Sequence, residues 1–275
     1  MGVKKKRPEI VLFGDSLTEW GFDEDTRGFG WALQQAYKDK AVIVNEGIYT
    51  STLLEPNFRR LVEQAVEPGA GQTLLVTIFL GANDACLPPW TAHVPLPRFE
   101  ANIREFVETI LSKEELYDTK IVLITPPPIN IKSRKRAAPQ DGDLGPAFAA
   151  TVSKLSKEDR KQDRGYQTYL SKKRYGEKIM EIAKSFEHTG CVAGLNFWKA
   201  LIDAALDDQQ RLGDEDAYDE ERLPGCGLEE AEEFGEGYFT DGLHLDGKSY
   251  DILSKGLVDL MLERWPELAP GKLEG

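Results

Sequence analysis

What the 275-residue sequence lacks narrows the reading first. It has three cysteines, Cys86, Cys191 and Cys226, an odd number without metal-ligand spacing. Neither a disulfide framework nor a zinc site is indicated, and a cytoplasmic setting is expected. No stretch approaches the roughly 20 apolar residues of a membrane-spanning helix, so no membrane span is expected. Behind the basic residues Lys4 to Arg7 there is no apolar core and no small-residue cleavage site, so no secretory signal is read. Positive charge is also short: 34 Lys and Arg against 47 Asp and Glu leave a net charge of -13. Such a field repels phosphate, which disfavours nucleic acid and anionic membrane and favours a small neutral substrate. Two short basic groups, Lys4 to Arg7 and Lys132 to Arg136, read as solvated tails or loops before they read as nuclear-localisation patches. The G-x-G-x-x-G fingerprint and the P-loop lysine are missing, and no cofactor is expected.

What is present is a globular composition, 41% hydrophobic, arranged as strands alternating with helices. Glu9 to Phe13, Lys40 to Val44, Thr73 to Leu80, Lys120 to Thr125 and Cys191 to Gly194 read as apolar strands. Helical spacing marks Gly28 to Tyr37, Asn57 to Val66, Arg98 to Leu111, Arg174 to Glu187 and Ser249 to Arg264. Parallel strands need helical crossovers, so this alternation predicts an α/β fold, a parallel sheet with helices on both faces. With about five strands the flavodoxin-like order 2-1-3-4-5 is expected. One domain over residues 1–275 is read, with long insertions near 130–164 and 207–236. Segments of that length are functional lids or mobile stretches, and the acidic run 207–236 reads most simply as a solvated, mobile face. The sequence leaves a homo-oligomer open.

In open α/β sheets, ligands bind beyond the carboxyl ends of the strands where strand order reverses. Ser16 lies just past the first strand, Asn45-Glu46-Gly47 past the second and Gly81-Ala82-Asn83-Asp84 past the third, all on one edge. A serine hydroxyl needs a base. Of the three histidines, His93 sits in a proline-rich loop, where pocket-lining and structural readings are equal, and His188 ends a helix. His244 follows Asp241 by three residues, close enough for the carboxylate to orient the imidazole while its other nitrogen takes the Ser16 proton. The order Ser, Asp, His is that of an α/β-hydrolase triad, but Thr18 stands where the G-x-S-x-G elbow needs its last glycine. The backbone N–H groups of Ser16 and Gly47 and the side-chain amide of Asn83 are candidate oxyanion donors, Gly47 because a residue without Cβ lets substrate approach.

Gly14-Asp15-Ser16-Leu17, Gly47, Gly81-Ala82-Asn83-Asp84 and Asp241-Gly242-Leu243-His244 resemble, in order, the four motif blocks of the SGNH, or GDSL, hydrolases. The resemblance spans nearly the whole chain. It implies a three-layer α/β/α fold and a serine esterase with Ser16 as nucleophile, His244 as base, Asp241 as its partner, and Gly47 and Asn83 as oxyanion donors. Gly81 to Cys86, His93-Val94-Pro95-Leu96 and Thr125-Pro126-Pro127-Pro128-Ile129 look like the isoamyl acetate-hydrolysing branch, which implies short acetate-type esters. The acidic run departs from the compact family pattern.

Each block alone has a plainer reading: Gly-Asp-Ser as a turn, Asn83-Asp84 as a helix cap, Asp241 and His244 as a surface pair. Their order along one sheet edge favours the joint reading. Asp15 reads as a buried or turn-stabilising carboxylate, and Trp20, Phe22, Trp90, Phe197 and Trp198 as core or rim packing. The same triad also serves lysophospholipases, thioesterases and carbohydrate acetylesterases by loop variation. A non-enzymatic flavodoxin-like binding module is the alternative from another class.

Overall fold

A computed structural model describes residues 6–47, 50–131 and 167–273. Five strands, β1 (Glu9–Gly14), β2 (Val42–Gly47), β3 (Thr73–Phe79), β4 (Lys120–Ile124) and β5 (Val192–Leu195), pair in parallel in the order β2-β1-β3-β4-β5. This is the expected doubly wound order. Alternate residues of a strand face opposite sides, and β1 divides accordingly. Ile10 and Leu12 pack with residues of helices α2 (Phe29–Ala36), α6 (Phe197–Asp208) and α7 (Gly247–Arg264). Val11 and Phe13 pack with residues of α3 (Glu55–Ala65), α4 (Leu96–Leu111) and α5 (Tyr169–Phe186). The result is a three-layer α/β/α arrangement. A short helix, α1 (Ser16–Glu19), follows β1 directly. Among the described residues no helix is long and apolar enough to cross a membrane.

The sequence places most elements to within a few residues, with two lapses. Helix α5 begins at Tyr169, ahead of the expected Arg174, because the Thr168 side chain caps it by accepting from the Ser171 N–H at 3.0 Å. Helix α6 was not expected at all. Its signal is present: Asn196 caps it, and Phe197, Leu201, Ile202, Ala205 and Leu206 fall on one buried stripe.

Most of the first insertion, residues 132–166, lies outside the described residues. The acidic insertion is described and corrects its reading as a solvated, mobile face. Leu223, Cys226 and Phe234 are buried in the core shared with α6 and α7. Lys173 of α5 pairs with Glu220 at 2.5 Å, and the Tyr218 hydroxyl donates to Asp203 of α6 at 2.7 Å. The run has enough apolar residues among its carboxylates to be packed down, while carboxylates such as Glu220 and Asp216 pair with Lys173 and Arg222.

Candidate active site

Strand β1 ends at Gly14, whose register partners are Gly47 on β2 and Phe79 on β3. The chain then turns at once into α1, so its backbone crosses close over both neighbours. A Cβ on Gly14 would lie 2.1 Å from the Thr18 Oγ1 and 2.5 Å from the Phe79 carbonyl oxygen, distances no side chain can occupy. Asp15 caps α1: its carboxylate accepts from the Leu17 N–H at 3.0 Å. Ser16 is therefore the first residue of the helix, half-buried at the sheet edge. There its own N–H has no partner within the helix.

The second part is a tight hairpin directly before α7. Phe239 bridges Leu245 in antiparallel fashion, and the Thr240 N–H donates to the His244 carbonyl at 2.9 Å. One oxygen of Asp241 accepts from the Leu243 and His244 backbone N–H groups at 2.9 and 2.8 Å. Its other oxygen lies 3.0 Å from the His244 Nδ1. The same carboxylate thus folds the turn and orients the ring. The His244 Nε2 lies 3.4 Å from the Ser16 Oγ, a distance that suits a resting site whose bonds tighten on substrate binding. An acceptor at Nδ1 selects the tautomer with hydrogen on Nδ1, leaving Nε2 as the acceptor. Partial burial would raise the Asp241 pKa. The N–H donors of His244 and Leu243 and the imidazole itself outweigh it and hold the carboxyl at about 2.

The candidate oxyanion donors gather on the same edge, with one revision. The absence of a Cβ at Gly47 is required by packing: a Cβ there would sit 2.3 Å from the Glu19 backbone nitrogen of α1. Its N–H donates to the Asn45 side chain at 3.1 Å, and the Asn45 amide in turn donates to the Glu19 carbonyl at 3.1 Å. Asn83 lies in the turn after β3, which is clamped from two sides. The Asp84 carboxylate accepts from the Ser51 N–H at 3.0 Å and from its hydroxyl, tying in the loop after β2. From α5, the Lys172 ammonium donates to the Ala82 carbonyl and the Ser171 hydroxyl to the Ala85 carbonyl.

Beneath the serine therefore lie three buried ionisable groups, Asp15, Asp84 and Lys172, each at most 1% exposed. Burial pushes the Asp15 carboxyl up to about 7, opposed by the Leu17 N–H, with the neighbouring Asp84 adding to the rise and Lys172 countering it. Asp84 is also raised by burial, against the hydrogen bonds from Ser51. Asp15 is the buried, turn-stabilising carboxylate its position suggested.

Of the other histidines, His93 places Nδ1 2.5 Å from the Cys86 carbonyl, a loop-closing bond, and His188 caps the Ser185 carbonyl at 3.0 Å on the surface. Phe197 is core, as expected. Trp20 falls at the rim: it is 48% exposed, and its indole lies over the His244 ring with centroids 3.9 Å apart at 31°. Three further supports were not legible from the motifs. The Tyr250 hydroxyl, buried in α7, donates to the Leu17 carbonyl at 2.9 Å and joins the base's helix to the nucleophile's. Asn130, just past β4, exchanges two hydrogen bonds with the Phe234 backbone. Its own N–H donates to the Gly242 carbonyl at 2.8 Å, anchoring the base hairpin. Lys172 is the third.

Comparison with known proteins bears on this arrangement. The family model described as GDSL-like Lipase/Acylhydrolase matches residues 10–257. A GDSL esterase/lipase of Arabidopsis thaliana is 38% identical over 135 residues, 47% of this chain; the match spans only about half, 54%, of that relative's length. The isoamyl acetate-hydrolyzing esterase of Saccharomyces cerevisiae is 25% identical over 97% of this chain and 91% of its own. Among solved structures, a catalytic mutant of an acetylxylan esterase from Geobacillus stearothermophilus has the same fold. It superposes with a TM-score of 0.54 at 16% identity, covering 96% of each chain.

Proposed function

The chain belongs to the GDSL-like lipase/acylhydrolase family, and from that premise we propose that it is a serine esterase hydrolysing small neutral carboxylic esters of the acetate type. The observation that carries the reading is the relay from Ser16 through His244 to Asp241, with separations of 3.4 and 3.0 Å. Ser16 attacks the ester carbonyl as the His244 Nε2 takes its proton. The tetrahedral oxyanion is met by the N–H groups of Ser16 and Gly47 and the Asn83 amide. For Gly47 this requires sharing or releasing the bond to Asn45. His244, held in place by the ionised Asp241, then delivers the proton to the departing alcohol, and water releases the acid from the acyl-enzyme by the reverse sequence.

The acetate preference draws on the similarity to the yeast isoamyl acetate-hydrolyzing esterase, which extends over nearly the full length of both chains. The apolar side chains left exposed in the loops after β2 and β3 also support it: Leu53 and Trp90 suit an alkyl alcohol better than a charged one. A fluorophosphonate probe should label Ser16, and Ser16→Ala should abolish labelling and lower hydrolysis by several orders of magnitude. Labelling at a different serine, or unchanged turnover in the alanine variant, overturns the assignment. A panel of esters varied separately in acyl and alcohol parts should show kcat/KM falling as the acyl chain lengthens. A preference for acetylated xylan or for long acyl chains would move the substrate class to one of the sister activities.

A further inference from the structure

Two hydrogen bonds hold the His244 imidazole, one to the Asp241 carboxylate and one to the Ser16 hydroxyl. Two bonds on opposite sides of a ring define a line, and the ring remains able to rock about that line. The indole of Trp20 lies across the imidazole face, with centroids 3.9 Å apart and planes 31° from parallel. Face contact removes the remaining freedom. Trp20 also hangs from the same turn as the nucleophile, since its backbone N–H donates to the carbonyls of Ser16 and Thr18. Serine and stacking surface therefore move together. Although it is large and apolar, Trp20 stays half in water, so filling the core does not explain its position.

We propose that Trp20 is a positioning residue for the base: it fixes the plane of the His244 ring, and its π face stabilises the imidazolium that forms when Ser16 is deprotonated. The proposal rests on the reading of Ser16 and His244 as nucleophile and base. A cation held against an indole face is favoured by electrostatics that a neutral ring lacks. The benefit therefore appears in the transition state more than in the ground state, and belongs in kcat.

The test uses the full chain, an alkyl acetate with acid release followed continuously, and Trp20→Ala, Trp20→Phe, Ser16→Ala and His244→Ala variants. Trp20→Ala should lower kcat roughly five- to tenfold, the scale of a cation–π contact plus lost orientation, with KM little changed. Trp20→Phe should recover most of that loss. Independently of turnover, His244→Ala should alter the tryptophan emission of the wild-type background and leave that of the Trp20→Phe background unchanged, because contact with imidazole perturbs indole fluorescence. The proposal is overturned if Trp20→Ala raises KM with kcat intact, which makes the indole a substrate contact. It is equally overturned if kcat is unaffected, if phenylalanine does no better than alanine, or if the emission change does not depend on Trp20. Should Ser16→Ala and His244→Ala both keep wild-type turnover, the esterase reading itself fails. If those two are inactive while Trp20→Ala is normal, only the positioning role is lost.

Discussion

Asp15 shows how one residue next to the nucleophile serves the fold and carries a cost. Its carboxylate caps α1 and so sets Ser16 at the head of that helix, but it does this in a site with almost no water contact. With a carboxyl pKa raised from 3.8 to about 7, the folded protein keeps a proton that the unfolded chain has lost between those two values. The contribution to stability is thus full below about pH 4 and is lost as pH rises towards 7. Asp15→Asn keeps the capping oxygen and does not titrate. Its stability relative to the wild type should therefore improve steadily across that window, by an amount on the order of a few kcal/mol. Thermal melts of both proteins through the range check this, and a pH-independent difference would show that Asp15 is ionised throughout. Asp241 is the opposite case. Held at about 2 by its N–H donors, it stays ionised wherever His244 can act as a base.

At the scale of elements, the site depends on how α1, the base hairpin and α7 are braced against one another. The Tyr250 hydroxyl crosses from α7 to the Leu17 carbonyl and is fully buried. Tyr250→Phe removes the donor and leaves that carbonyl bond unmade, which costs about 1 kcal/mol of stability. It also loosens the link between the helix bearing Ser16 and the helix that follows His244. We expect a lower melting temperature together with a fall in kcat. A fall in stability with kcat unchanged would show that the Ser16 to His244 distance is set elsewhere, for instance by Asn130. Much at this scale was legible in the sequence, because strand and helix periodicity are local patterns. Helix α6 was less legible although its stripe and its Asn196 cap are local signals, because it follows the short apolar strand β5 with only the cap residue between them. The packing of the acidic insertion was not legible, because a charge-rich composition hides the few apolar residues that hold it down.

At the scale of the whole molecule, the ion pairs among the described residues are mostly exposed, as at Arg27 with Asp251 and Lys255 with Asp259, and pairs of that kind contribute little. The net charge of -13 acts in the other direction, through self-repulsion of the compact state. Salt screens both. Moderate sodium chloride should therefore raise the thermal midpoint; a fall would show that the exposed pairs outweigh the repulsion. The sequence by itself determined the order of the strands, most of the helices between them and the family. It also put Ser16, Gly47, Asn83, Asp241 and His244 at places where a sheet edge could gather them. These signals lie within a few residues of one another or in the alternation of elements. Only the tertiary structure decided what surrounds that set: the indole of Trp20 on the imidazole, the Tyr250 brace, the Asn130 anchor and the buried Lys172 beneath the Asn83 turn. Each is a contact between segments far apart in the chain, created when layers pack against the sheet, and no local spacing encodes such a contact.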